Sequence, residues 1–167
     1  MNIKPEIRYG ILGATGLILW TIIQYFAGFH TSRLYWGQFS GYFIHVIIFY
    51  TLLKGLKEKY HDNPGIFSLR KGLREGVIQL FITAIPASAF MFIYDYKLNP
   101  LWVENMIEYQ RHHGFSTGFF LKFANDPAAQ AIVLSNTETH LCIYFLTILS
   151  AGASMAFMIS AYLISRK

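Results

Sequence analysis

The feature that most constrains this chain is a set of four apolar runs, each close to the length that a helix needs to cross a membrane. They fall at about residues 9–29, 34–53, 76–94 and 141–164. A helix of about 20 apolar residues spans the hydrocarbon of a bilayer. Only 14% of the residues are charged, against about 25% in a soluble domain. The sequence therefore predicts an all-α integral membrane bundle of four transmembrane helices, forming a single domain over residues 1–167.

The distribution of Lys and Arg predicts the orientation of the spans. If the N-terminus lies inside, ten of the 14 basic residues fall on the inner side, and the other four fall outside: Arg33, Lys97, Arg111 and Lys122. Membrane proteins retain Lys and Arg on the cytoplasmic side. A multi-pass protein with both termini in the cytoplasm is therefore predicted. The first run is too long for a signal-peptide core and is interpreted as an uncleaved span.

The segment before the third span combines apolar and basic residues. Apolar side chains recur at intervals of three and four, at Ile66, Leu69, Leu73, Val77 and Leu80. This spacing predicts an amphipathic cytoplasmic helix that leads into the span. Arg70, Lys71 and Arg74 flank the apolar stripe and are predicted to contact lipid headgroups.

The extracytoplasmic segment, residues 95–140, contains a second amphipathic pattern. After Asn99-Pro100, which suits a helix start, Trp102, Val103, Met106 and Tyr109 fall on one face. A helix lying on the outer surface is therefore predicted. The Phe-rich stretch 115–123 either enters the bilayer or packs beneath this helix, and periodicity leaves both arrangements open. Asp95, at the end of the third span, is predicted to reach water.

A few polar residues are predicted to lie at membrane depth: Gln24, His45, Gln79 and Thr83. Ionisable groups inside a bilayer are costly, so His45 is a candidate for a proton relay or a substrate contact. A neutral histidine that is hydrogen-bonded to a polar neighbour is the favoured interpretation. If these residues and Pro86 serve a small oligomeric transporter or channel, the polar side chains should converge on one cavity.

Small residues recur along the first and fourth runs. Gly152, Ala156 and Ser160 share one stripe of the fourth, and the first contains Gly10, Gly13 and Gly16. Small residues let helix backbones approach closely in lipid. They are predicted to pack the bundle, with contact to a second copy of the chain or to another membrane protein as the alternative.

The sequence contains no recognisable catalytic motif. Cys142 is the single cysteine, so no disulfide forms within the chain. Glu108, His112, His113 and His140 allow a metal site of mixed ligands. Exposed interfacial side chains are the favoured interpretation, and a metal-dependent enzyme is the weakest hypothesis. The net charge of +5 comes from bases that flank the spans, so the predicted partner is the lipid bilayer and no nucleic acid or cofactor is expected.

Three stretches resemble the DUF4199 family, small bacterial membrane proteins of unknown function that are common in Bacteroidetes. "IRYGILGATGLILW" is similar to the family's first span, "FSLRKGLREGVIQLFITAI" to its third span with the preceding helix, and "YDYKLNPLWVENMIEYQ" to the exit from that span. The resemblance implies an inner-membrane location but no activity and no catalytic residues. The leading prediction is therefore a non-enzymatic membrane accessory or envelope component, with a small transporter or channel as the alternative.

Overall fold

A computed structural model describes residues 3–62, 66–102, 105, 108–109 and 137–165. The described residues form four long helices and no strand: α1 (Pro5–Phe26), α2 (Leu34–Asp62), α3 (Leu69–Ile93) and α4 (Thr137–Ser165). Each is long and apolar enough to cross a membrane. The all-α fold with four membrane-spanning helices is thus confirmed. The largest difference in bounds is at α2, which continues nine residues past the predicted end at residue 53.

Local sequence explains where the helices begin and turn. Pro5 occupies the first turn of α1, where its missing N–H costs nothing. Gly28 adopts a left-handed conformation, with φ of 75°, in the short connection to α2. Ser68 caps α3, since its hydroxyl accepts a hydrogen bond from the Lys71 amide at 3.3 Å. The short α1–α2 connection makes these two helices antiparallel neighbours.

The helices form a ring in the order α1, α2, α4, α3. α3 packs against both α1 and α4, and α2 also packs against α1 and α4, on the opposite side of the ring. Large apolar side chains lie outside as well as inside: Ile11 is 53% exposed, Val46 60% and Ile85 59%. Such exposure is expected when the surrounding solvent is hydrocarbon.

The helix predicted to lead into the third span is continuous with that span. α3 runs from Leu69 through Pro86 to Ile93 without interruption. The residues of the predicted apolar stripe do not share one environment, because Ile66 is 70% exposed whereas Leu80 is fully buried. Burial of apolar groups brings little gain in lipid, and most of the residues that α3 buries are small or polar, such as Gly72, Glu75 and Gln79.

The C-terminal end of α3 widens into a π-helical turn, Tyr94–Leu98. A new helical turn follows, in which the Trp102 amide donates to Asn99 O at 3.2 Å. The helix start predicted at Asn99-Pro100 therefore matches the structure. Val103, Met106 and the Phe-rich stretch 115–123 lie outside the described residues.

Candidate functional site

Three charged side chains from three helices meet at the end of the bundle that contains the α1 N-terminus. Lys59 Nζ lies 2.8 Å from Glu6 Oε2 and 3.7 Å from Glu75 Oε2. Both carboxylates are 8% exposed. We call Glu6, Lys59 and Glu75 the ionic layer. It joins α1, α2 and α3 at a single point.

Two further ion pairs surround the ionic layer. Arg74 Nη2 donates to Glu75 Oε1 at 2.8 Å, and Arg8 pairs with Glu58. Arg8 and Arg74 are more than half exposed. Together with the ionic layer, these pairs balance three carboxylates against three cations. The network is therefore neutral, and its ion pairs connect α1, α2 and α3.

From Glu75, polar side chains continue along α3 at intervals of four residues, towards the middle of the bundle. Gln79 is 1% exposed and packs against Gly55, where a Cβ would overlap its Oε1 atom. Thr83 Oγ1 lies 3.0 Å from Gly10 O on α1 and 3.1 Å from Gln79 O on its own helix. We call Glu75, Gln79 and Thr83 the polar seam. No described residue accepts a hydrogen bond from Gln79 Nε2.

A second face of α3 packs against α4 through small residues. A Cβ added at Gly76 would lie 2.6 Å from Ala156 Cβ, and one added at Gly72 would overlap Ser160. We call Gly72 and Gly76, with Ala156 and Ser160 of α4, the small-residue seam. These small residues of α4 therefore pack within the bundle, as the favoured prediction states.

An apolar layer separates the two polar ends of the bundle. Leu17, Ile48 and Ala87 are each 1% exposed and belong to one hydrophobic cluster. Beyond this layer, the Gln24 amide donates to the Ser40 hydroxyl and ties α1 to α2. We call Leu17, Ile48 and Ala87 the apolar centre.

Aromatic and polar side chains close the other end of the bundle. His30 stacks on Trp102, with ring centroids 4.6 Å apart, and its Nδ1 is hydrogen-bonded to the Tyr94 hydroxyl. Asn99 Nδ2 donates to Tyr94 Oη at 3.2 Å, and Trp102 Nε1 donates to Asp95 Oδ1 at 2.6 Å. We call these five residues the outer cluster, after the orientation that the sequence predicts.

The position of Asp95 in the outer cluster corrects one prediction. Asp95 is 7% exposed, so the prediction that it reaches water is wrong. The π turn and Trp102 enclose its carboxylate, and the indole N–H is one of its partners.

Burial lowers the pKa of His30 to about 4, although the nearby Asp95 opposes the shift. A neutral His30 suits the hydrogen bond, because its Nδ1 then accepts from the Tyr94 hydroxyl.

The four polar residues predicted at membrane depth do not meet at one point. Gln79 and Thr83 share the polar seam. Gln24 lies 14 positions beyond Gly10 on α1, which places it about 20 Å further along the helix axis. His45 lies on the outer face of α2, half-buried, and its Nδ1–H donates to Gly41 O at 3.3 Å. Its partner is thus a carbonyl of its own helix.

The predicted headgroup and metal residues lie as follows. Arg70 is exposed, Lys71 is half-buried, and Arg74 is exposed and paired with Glu75. Within the described ranges, no three His, Cys, Asp or Glu side chains are grouped to hold a metal ion. Glu108 is exposed. His112, His113 and the side chain of His140 lie outside the described residues.

The ionic layer is the part of the site that sequence reasoning missed. The sequence alone places Lys59 only among the ten bases predicted on the inner side. The available signal was the spacing of Glu75, Gln79 and Thr83, since positions i, i+4 and i+8 share one helix face.

Four apolar helices in one bundle define the class, which is that of multi-pass membrane proteins. A family described as "Protein of unknown function (DUF4199)" matches residues 8–165, nearly the whole chain. The chain therefore belongs to the DUF4199 family, and the resemblance seen in the sequence is confirmed. No curated protein and no solved structure matches the chain.

Proposed function

We propose that this protein is a non-enzymatic component of a bacterial inner membrane that acts through contacts with lipid and with other membrane proteins. One observation carries the proposal: most of the polar groups that the bundle buries join one helix to another. The ionic layer joins three helices, the Thr83 hydroxyl reaches α1, and Gln24 joins α1 to α2. The apolar centre separates these groups into two sets. Such an arrangement favours a rigid scaffold over a polar path across the bundle.

The distribution of bases supports an orientation with both termini in the cytoplasm. Helix order places the start of α1, the end of α2 and the start of α3 at one end, which contains Arg8, Lys59 and Arg74. The opposite end contains His30 and Trp102. Because positive side chains are retained in the cytoplasm, the end with the ionic layer faces inward under this proposal.

Cysteine labelling in intact cells tests the orientation. Cys142→Ala removes the native thiol, after which single cysteines replace Tyr96, at the outer end, or Lys57, at the inner end; both positions are exposed. An impermeant maleimide should label the Tyr96→Cys variant in intact cells and the Lys57→Cys variant only after permeabilisation. The reverse pattern would overturn the orientation.

Reconstitution tests the scaffold proposal against the transporter alternative. The full chain is placed in liposomes that contain a pH-sensitive dye, and a proton gradient is applied. We expect the gradient to decay as slowly as in protein-free liposomes. A faster decay that Gln79→Leu abolishes would overturn the proposal.

A transporter or channel is the second candidate, and one observation favours it. Gln79 Nε2 is a buried donor that has no acceptor among the described residues, and it lies one turn from the ionic layer. An unsatisfied donor in a buried site invites water or a small polar solute. Under this alternative, Gln79→Leu removes flux, whereas Gln24→Leu, beyond the apolar centre, reduces it less.

A further inference from the structure

One exposed stripe of α2 changes from apolar to basic where the helix passes the end of its predicted span. Phe43, Val46, Tyr50, Lys54 and Lys57 recur at intervals of three and four, so they share one face of the helix. All five are exposed, the first three by 53%, 60% and 53%. The predicted span ends at residue 53, whereas α2 continues to residue 62. We call these five residues the α2 stripe.

The ammonium group of Lys54 lies at the boundary between the two parts of the α2 stripe. Its Nζ is 5.6 Å from the centre of the Tyr50 ring, one turn closer to the middle of the helix. A cation at the edge of the hydrocarbon is unfavourable unless an anion accompanies it. The phosphate of a lipid headgroup is the anion that a bilayer supplies at that depth.

The carboxylates at this end of the bundle are engaged elsewhere. The ionic layer and the ion pairs around it hold all three glutamates of that end. Within the described part of the chain, no carboxylate lies within ion-pair distance of Lys54 or Lys57. Asp62, the remaining acidic residue there, lies five positions beyond Lys57 and off the α2 stripe. The two lysines therefore present their charge to an anion from outside the chain.

We infer that the α2 stripe binds one anionic phospholipid of the adjacent leaflet, with its phosphate between Lys54 and Lys57. The order of groups along the stripe matches the order along the lipid. An acyl chain packs against Phe43 and Val46, the glycerol region lies beside the Tyr50 hydroxyl, and the phosphate meets the two ammonium groups. Two lysines favour a lipid of net negative charge, because a zwitterionic headgroup brings a cation of its own.

This site differs from the headgroup contacts that the sequence predicts on α3. Of those three bases, Arg74 is paired with Glu75 and Lys71 is half-buried. Arg70 is exposed, at the start of α3. Because α3 begins at Leu69, no turn of that helix precedes Arg70 to hold an acyl chain as Phe43 and Val46 do. Arg70 and Lys71 therefore supply a control that removes the same charge from the same end of the bundle.

The inference rests on the lipid contacts of the proposed function and names their site and lipid class. Its failure is distinguishable from failure of that proposal. Loss of the lipid site would leave the slow proton decay in liposomes unchanged, whereas proton flux through the bundle would leave lipid binding at the α2 stripe unchanged.

Native mass spectrometry of the full chain tests the site. Protein in detergent is mixed with equal amounts of phosphatidylglycerol and phosphatidylethanolamine, and the retained lipid is identified. The unmodified chain should retain phosphatidylglycerol, and Lys54→Gln with Lys57→Gln should weaken that preference about tenfold. Arg70→Gln with Lys71→Gln should keep most of it. Equal loss in the two double variants would assign the preference to general surface charge and overturn the inference. No preference in the unmodified chain would also overturn it, in favour of an acidic protein partner.

A photoreactive lipid gives an independent test in vesicles and separates a whole lipid from free phosphate. Phosphatidylglycerol with a diazirine in its acyl chain should label the segment around Val46 more than that around Ile85; these residues are 60% and 59% exposed. Phosphatidylethanolamine with the same group should label the two segments equally. An excess of inorganic phosphate should not reduce the labelling, because it lacks the chain that packs on the stripe. Equal labelling by both lipids, or displacement by phosphate, would refute the site.

Discussion

The two packing faces of α3 differ in the groups that they bring together. The polar seam meets α1 and α2 through charge and hydrogen bonds, as in the Lys59 bridge to Glu6 and Glu75. The small-residue seam meets α4 through close contact alone, as at Gly76 and Ala156. Lipid is as apolar as the side chains of the bundle, so hydrophobicity does not select helix partners there. The difference between the seams indicates that specificity comes from polar pairing on one side and from shape on the other.

The largest expected effect concerns the ionic layer. Lys59→Met should destabilise the bundle by about 3–5 kcal/mol, because it leaves two buried carboxylates without their shared cation. Unfolding by dodecyl sulfate in mixed micelles measures the change. Adding Glu6→Gln to Lys59→Met should restore part of the loss by removing one unpaired charge. If the double variant is no more stable than the single one, unpaired charge in the ionic layer is not what destabilises the Lys59→Met variant.

The small-residue seam is tested by one added methyl group. Gly76→Ala should destabilise the bundle by about 1–3 kcal/mol, because the new Cβ would lie 2.6 Å from Ala156 Cβ, which cannot rotate away. Gly41→Ala is the matched control, since its Cβ meets open space, and it should be neutral or slightly stabilising. The same unfolding assay reports both variants. A neutral Gly76→Ala would mean that α3 and α4 pack less closely than described.

The outer cluster, beyond the polar seam, adds a pH dependence. The pKa of His30 is about 4 in the folded protein and 6.5 ordinarily, so the unfolded chain binds the proton more readily. Stability is therefore full above pH 6.5 and falls as the pH drops towards 4. The loss at pH 5 should be about 2 kcal/mol. His30→Phe, which keeps an aromatic ring against Trp102, should flatten the profile between pH 7.5 and pH 5. An unchanged profile in this variant would assign the dependence to another group.

The smallest effect separates bonds between helices from bonds within one. Thr83→Val removes a hydroxyl that reaches Gly10 O on α1 and should cost about 0.6 kcal/mol. Thr147→Val is the control, because among the described residues that hydroxyl bonds only to Ile143 O of its own helix, at 2.8 Å. Precise unfolding curves of the two variants give the comparison. Equal effects would show that the bond from Thr83 to α1 adds nothing.

The sequence predicts the helices of this fold well and their inward faces poorly. Length and hydropathy are properties of a single segment, so the four spans were recognisable directly. The face that a helix turns inward depends on its neighbours, and in lipid the apolar side gives no guide. The exposed Ile66 and the buried Glu75 illustrate this.

The candidate sites were less accessible to sequence reasoning for the same reason. Asp95 directly follows the apolar run of the third span. Its burial is explained by the π turn and by Trp102, seven residues later. Glu6 and Lys59 are 53 positions apart, and nothing in either segment alone indicates that they pair. Gln79 and Thr83 were identified because a polar residue within an apolar run is visible in that segment alone.

The apolar centre has an electrical consequence. A membrane potential falls mainly across the medium of lowest dielectric constant, which in this bundle is the layer around Leu17, Ile48 and Ala87. Moving one elementary charge through the full potential requires about 2.3 kcal/mol per 100 mV. The ionic layer and the outer cluster lie on either side of that layer, where they experience little of the field. Under the scaffold proposal, the bundle would act as an insulator, and its charged ends would respond little to voltage.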